Sequence, residues 1–192
     1  MLGYLLNAFS GPAGLFMYLL LGVAAFAIGV TVDRLAQVGK FRVDGDAALK
    51  RALAKEPLGS TPLEAVLAAG AAQPDYDRAW DAMTAESIHA EQRIRRRIPY
   101  LSTVASLATM IGLFGTVYGL ILAFGSMGDL AAAERAAHLS EGSSTAMAST
   151  AFGLLVAIPA LAAHAALEAW ARDQLAEIER AATKFALSLP RA

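Results

Sequence analysis

The stretch Gly112–Leu120, GLFGTVYGL, sits inside a run of residues, 98–128, that holds no Asp, Glu, Lys or Arg. It carries three glycines and a threonine in nine positions. Glycine is a poor helix former in water, and a threonine hydroxyl needs a hydrogen-bond partner wherever water is absent. Both features make sense in a bilayer, where small residues let helix backbones approach and hydroxyls bond across the contact. Two further uncharged runs, 1–32 and 142–167, flank it in the 192-residue chain. About 20 apolar residues of helix span a bilayer core, so each run is long enough to cross.

These runs predict an all-α membrane protein with three transmembrane helices at about 15–32, 99–127 and 142–167. A short apolar, interfacial segment is expected to precede the first. No basic residue stands before Arg34, which disfavours a cleaved signal peptide. Mean hydropathy is +0.47. The net charge of −1 gives no support for a nucleic-acid partner. With no cysteine, disulfides, thiolate metal sites and cysteine nucleophiles are excluded.

Charge placement predicts topology. Eleven of the sixteen Lys and Arg fall in 33–97, four after 168, and Arg135 alone in 129–141. The positive-inside rule then puts 33–97 and the tail 168–192 in the cytoplasm, and the N-terminus and the loop 129–141 outside. Arg93, Arg95, Arg96 and Arg97 form a basic run against the second span, the place of a topology anchor touching lipid head groups.

The segment 33–97 reads as helical. Asp46–Lys55 is one candidate helix. Thr61-Pro62-Leu63-Glu64 has the form of a capping box and opens a second, reaching about Ala72. A third starts at Pro74-Asp75, with Trp80, Met83, Ile88, Ile94 and Ile98 as its apolar positions, and is expected to run straight into the second span. The second and third uncharged runs exceed one crossing: thirty-one residues of helix measure about 46 Å. The excess is expected to project as a cytoplasmic bundle with 85–97 and 168–185, packed through Leu175, Ile178, Ala182 and Phe185. The whole chain, 1–192, reads as one domain.

Ser102, Ser106, Thr109 and Thr116 share a helical face in the second span, and Ala146, Thr150, Gly153 and Ala157 form a comparable stripe in the third. Gly115 and Gly119 make a GxxxG pair. Counting from the outer ends of their runs, Thr116 and Thr150 lie about 18 Å and about 12 Å deep, which lets the two hydroxyls share a level in the outer half of the membrane. Two readings of the stripes stand: close helix packing, and a path for water or an ion. No acid of the chain lies at mid-membrane depth. His164 and Glu168, one turn apart, form too small a set for a metal or catalytic centre. His89 and His138 read as surface residues, and Ser143, Ser144 and Thr145 as helix caps.

The sequence LSTVAS at Leu101–Ser106 with GLFGTVYG at Gly112–Gly119 resembles the second-span signature of the ExbB/TolQ/MotA proton-channel family. EGSSTAM at Glu141–Met147, running on to TAFGLLVAIPA at Thr150–Ala160, is similar to its third-span signature. Three spans with a helical cytoplasmic segment match the ExbB/TolQ branch. The resemblance implies a bacterial inner-membrane stator subunit that turns proton-motive force into work on the cell envelope, with no cofactor, no metal and no catalytic residue. The implied assembly is a homopentamer. A dimer of a single-span ExbD/TolR-like partner sits in its pore and supplies the membrane aspartate, and a TonB/TolA-like protein is engaged in turn. Thr116 and Thr150 would face that aspartate. Ser102, Ser106, Thr109, Ala146, Gly153 and Ala157 would be further pore-lining positions, and Gly112, Gly115 and Gly119 would let the helices pack closely. Two positions depart from the family pattern: Thr145 stands where many relatives carry glutamate, and Thr109 where many carry proline. A non-conducting membrane scaffold of the same fold is the alternative.

Overall fold

The structure, a computed structural model, describes residues 9, 14–41, 44–126 and 132–190, apart from the side chains of 132, 133 and 145. The described residues form six helices and no strand: α1 (Gly14–Phe41), α2 (Gly45–Leu53), α3 (Pro62–Ala71), α4 (Tyr76–Arg95), α5 (Ile98–Gly125) and α6 (Ala132–Ala186). Three helical stretches are long and apolar enough to cross a membrane, carried by α1, α5 and α6. The chain is an all-α membrane protein. The expected interfacial segment before Leu15 lies, Phe9 and Gly14 apart, outside the described residues.

Two compact units are formed, Met1–Thr31 with Tyr100–His164, and Val32–Pro99 with Ala165–Ala192. The first holds the apolar helices. What it buries is mostly small: Ala105, Ala108 and Ala123 of α5, and Ala146, Ala157 and Ala160 of α6. What it exposes is large, including Met110, Leu113, Phe114, Ile121, Leu155 and Ile158. This inverts the water-soluble pattern. In lipid, large apolar side chains lose nothing by facing outward, and small ones let backbones meet. Phe16 of α1 meets the ring edges of Phe114 and Tyr118 at centroid distances of 5.4 and 5.5 Å.

The second unit is a helical bundle whose helix starts are set by local hydrogen bonds. Asp44 caps α2 by accepting from the backbone of Asp46 at 3.0 Å. Thr61 and Glu64 form the capping box of α3, with Pro62 in its first turn. Asp75 caps α4 by accepting from Arg78 N at 2.9 Å. The core joins Val66 and Leu67 of α3, Met83 and Ile94 of α4, and Ile178, Ala182 and Phe185 of α6. Leu175 is half-buried.

Three expectations need correction. Trp80 and Ile88 are exposed, and Ala79 and Ala90 take the buried face instead. Positions 79, 83, 90 and 94 fall on one stripe at helical spacing, and 80 and 88 sit beside it. Secondly, α4 does not run straight into the second span. It stops at Arg95, Arg96 turns extended, and Arg97 adopts a left-handed φ of 67° before α5 starts. Pro99 explains the break: it lacks an N–H, its ring opposes the carbonyl four residues back, and it suits the first turn of a new helix. Thirdly, α6 begins at Ala132, so most of the expected loop 129–141 is helix. Ser143, Ser144 and Thr145 therefore lie inside that helix and cap nothing. The run Ala132–Ala137, four alanines with Glu134 and Arg135, is strongly helix-forming.

Glu64 is buried. Burial pushes its carboxyl up, but the Thr61 hydroxyl, the Thr61 and Gly59 backbone and Arg51 together outweigh it and hold the carboxyl below the usual glutamate value of 4.5. Thr61 Oγ1 donates to it at 2.6 Å, and Arg51 pairs with it at 3.0 Å. A depressed carboxyl stabilises the fold above its ordinary value, and that contribution fades as pH falls through the folded one. Glu64→Gln should therefore cost about 1–2 kcal/mol at pH 7. The cost should shrink well below pH 4.5, where the wild-type carboxyl is itself neutral. Thermal melts of the two proteins across that range test this; a gap that does not narrow with acid would remove the charge from the explanation.

Candidate functional site

The seam between α5 and α6 is where backbone meets backbone. A Cβ placed on Gly112 would lie 2.9 Å from the Ser149 carbonyl oxygen and 3.1 Å from Gly153 Cα. One placed on Gly153 would lie 2.7 Å from the Ala108 carbonyl oxygen. Further along, Gly115 faces Ser149, Gly119 faces Ala146 and Gly142 faces Ala123. The glycines thus close α5 onto α6 of the same chain. The sequence offered the spacing of the GxxxG pair but not the identity of the helix it meets.

This approach brings two hydroxyls together. Thr116 Oγ1 and Thr150 Oγ1 are in direct hydrogen-bond contact. Thr116 also reaches the carbonyl oxygens of Ala146 at 3.1 Å and Gly112 at 3.3 Å. Thr150 reaches the Gly112 carbonyl at 3.2 Å. Both residues are half-buried. Two hydroxyls hold two protons and four lone pairs, and three contacts to carbonyls compete for those protons. Each oxygen keeps lone-pair capacity, and each proton can rotate between a carbonyl and another acceptor. The pair can therefore accept from a protonated acid and donate to an ionised one.

The other stripe residues divide. Ser106 and Thr109 are exposed, and their hydroxyls donate back to Ser102 O at 3.1 Å and Ala105 O at 3.0 Å within α5. Ser102 is half-buried and Leu113 is exposed. Ala146, Gly153 and Ala157, expected as further pore-lining positions, are buried. Ala146 and Gly153 lie in the seam against α5, where their small size permits the helix approach.

Ser149 was not singled out by the sequence, although 142, 146, 149 and 153 continue one small-residue stripe. It is fully buried, and its hydroxyl has no hydrogen-bond partner among the described residues. Glu168, set beside His164 by the sequence, is paired with Arg95 at 2.8 Å. Among the described residues no group of three or more His, Asp or Glu side chains is placed to hold a metal.

Comparison with known proteins agrees with this picture. The chain matches the MotA/TolQ/ExbB proton channel family over residues 52–180. It is 41% identical over 75 residues to the Tol-Pal system protein TolQ of Haemophilus influenzae, covering 38% of this chain and 32% of that protein. To TolQ of Pseudomonas aeruginosa it is 35% identical over 83 residues, 43% of this chain and 36% of that one. To the biopolymer transport protein ExbB of Aquifex aeolicus it is 34% identical over 89 residues, 46% and 60%. The aligned part spans about a third of the length of both TolQ proteins. A family match over well over half of the chain, three apolar helices and this glycine-lined seam lead to one assignment: the chain belongs to the MotA/TolQ/ExbB proton channel family, in its ExbB/TolQ branch.

Proposed function

We propose that the chain is a stator subunit of a bacterial inner-membrane proton channel, working in a Tol-type, TonB-type or related envelope motor. It assembles as a homopentamer around a dimer of a single-span ExbD/TolR-like protein, which brings the membrane aspartate and passes force to a TonB/TolA-like protein. The whole of 1–192 acts as one such domain and performs no covalent chemistry. The observation that carries this is the hydroxyl pair Thr116–Thr150 inside a helix seam whose two runs hold no acid. Such a pair is suited to an ionisable group brought by another chain, where an unsolvated charge would be costly.

A scaffold that conducts nothing is the second reading. One observation favours it: both hydroxyls find acceptors within the seam itself. Native mass spectrometry of the complex extracted from its own membrane tests the assembly. A pentamer carrying two copies of a single-span protein with an aspartate in its span is expected. A stable monomer, or a pentamer without such a partner, would overturn the stator reading.

For orientation, we infer that 33–97 and the tail are cytoplasmic and the N-terminus periplasmic, from the Lys and Arg distribution. The chain has no cysteine, so single introduced thiols report cleanly. Ala136→Cys should react with a membrane-impermeant thiol reagent in intact spheroplasts, and Gln73→Cys only after permeabilisation. The opposite pattern would reverse the topology.

A further inference from the structure

A second polar feature lies in the helical-bundle unit. A pocket of about 260 Å³ is lined by Arg34, Arg93, Arg96 and Arg97, with Asp33, Gln37 and Phe41. Four guanidinium groups face one carboxylate, which leaves three positive charges uncompensated. Asp33 is already shared: its Oδ2 accepts from Arg34 at 3.0 Å and from Arg97 at 3.1 Å, and its Oδ1 from Gln37 at 3.2 Å. Arg93 gives one bond, to the Ser60 carbonyl at 3.2 Å. Arg96 has no partner among the described residues. Arg34 is only 4% exposed, and its guanidinium rests on Asp33 Oδ2 through two bonds, at 3.0 and 3.2 Å, to an oxygen that Arg97 also shares. An arrangement of that kind is costly unless an anion completes it.

The sequence reinforces the placement. Arg34 stands two residues after the uncharged run 1–32, and Arg97 directly before the run 98–128. Both are therefore at the level where apolar helix gives way to lipid head groups. Guanidinium groups bind phosphate oxygens through paired, charge-assisted hydrogen bonds.

We propose that this arginine pocket binds a phosphate ester, and that its source is the head group of an anionic phospholipid in the membrane the chain crosses. Zwitterionic lipids carry the same phosphate but offset its charge with an ammonium group that the pocket has only Asp33 to receive.

The test uses the full chain, purified in detergent, delipidated and then offered phosphatidylglycerol or phosphatidylcholine, with bound lipid counted by native mass spectrometry. Arg34→Gln risks misfolding because Arg34 is buried, so Arg96→Gln is the informative variant and Arg172→Gln, an exposed charge outside the pocket, the control. Phosphatidylglycerol should bind in preference to phosphatidylcholine. Arg96→Gln should weaken that binding about tenfold, with Arg172→Gln close to wild type. Equal loss in both variants, or no preference for phosphatidylglycerol, would overturn the proposal. Millimolar inorganic phosphate should fail to displace the lipid. If phosphate alone occupies the site and lipid adds nothing, the phosphate chemistry survives and the lipid source is wrong.

Discussion

Gly153→Leu is expected to abolish folding of the apolar unit, and Gly153→Ala to destabilise it measurably. The reason is what a side chain would meet. A single Cβ at this position would lie 2.7 Å from the Ala108 carbonyl oxygen and 3.1 Å from Gly112 Cα. Both are backbone atoms in the facing helix, so no flexible side chain can swing away. The helices must separate, and separation lengthens every contact in the seam, including those of the threonine pair. Overpacking of one methyl costs about 1–3 kcal/mol. The leucine side chain adds three more carbons to the same gap. Gly39 supplies the opposite sign. It is exposed on α1 and a Cβ there would meet nothing within 4 Å. Alanine there should gain up to about 1 kcal/mol from helix propensity alone. Thermal melts in detergent separate the two cases. A Gly153→Ala protein that melts no lower than wild type would show that α5 and α6 do not approach as described.

The same glycines show how far the sequence could be read. Their presence in an uncharged run pointed to close helix contact, because nothing else favours glycine there. Which helix they meet depends on tertiary geometry, and GxxxG spacing is the same for a contact within a chain or between chains. The capping box at Thr61 and the Asp75 cap were legible because each is made by residues three apart. The exposure of Trp80 and Ile88 was not, since α4 carries apolar residues on more than one face. The depths counted for Thr116 and Thr150, about 18 Å and about 12 Å, allowed the two hydroxyls to share a level, and the two meet, although the count itself was loose. Uncharged runs do not mark where helices end: α6 starts ten residues before Gly142, so its outer end was a poor ruler. The break at Arg96–Arg97 was readable in principle from Pro99.

On the proposed stator reading, Thr116→Val and Thr150→Val are expected to leave the complex assembled and to remove proton-driven activity. Valine keeps the shape of threonine and deletes the hydroxyl. In the seam that deletion removes the contact between the two side chains and the bonds to Ala146 O and Gly112 O. Those carbonyls already serve the helix ladder, so the structural loss should be small, on the order of 1 kcal/mol or less. The functional loss should be large if a partner's carboxylate is solvated here. Ionised, that carboxylate needs donors, and the threonine protons must turn from the carbonyls to supply them. Protonated, it donates, and the threonine lone pairs accept. Valine can do neither, and a carboxylate in apolar surroundings then stays protonated. The proton would be bound and not released. Ser149→Ala is the control. It deletes a hydroxyl from the same seam, but one that bonds nothing among the described residues, so it should be neutral or slightly stabilising. The measurement is proton flux into liposomes containing the chain with its partner, followed by a pH-sensitive dye, with complex yield scored on the same preparations. Each valine variant should assemble at wild-type yield and conduct at a small fraction of the wild-type rate. Full flux in the double variant would establish that the hydroxyls only join α5 to α6, and the scaffold reading would then gain at the expense of the stator.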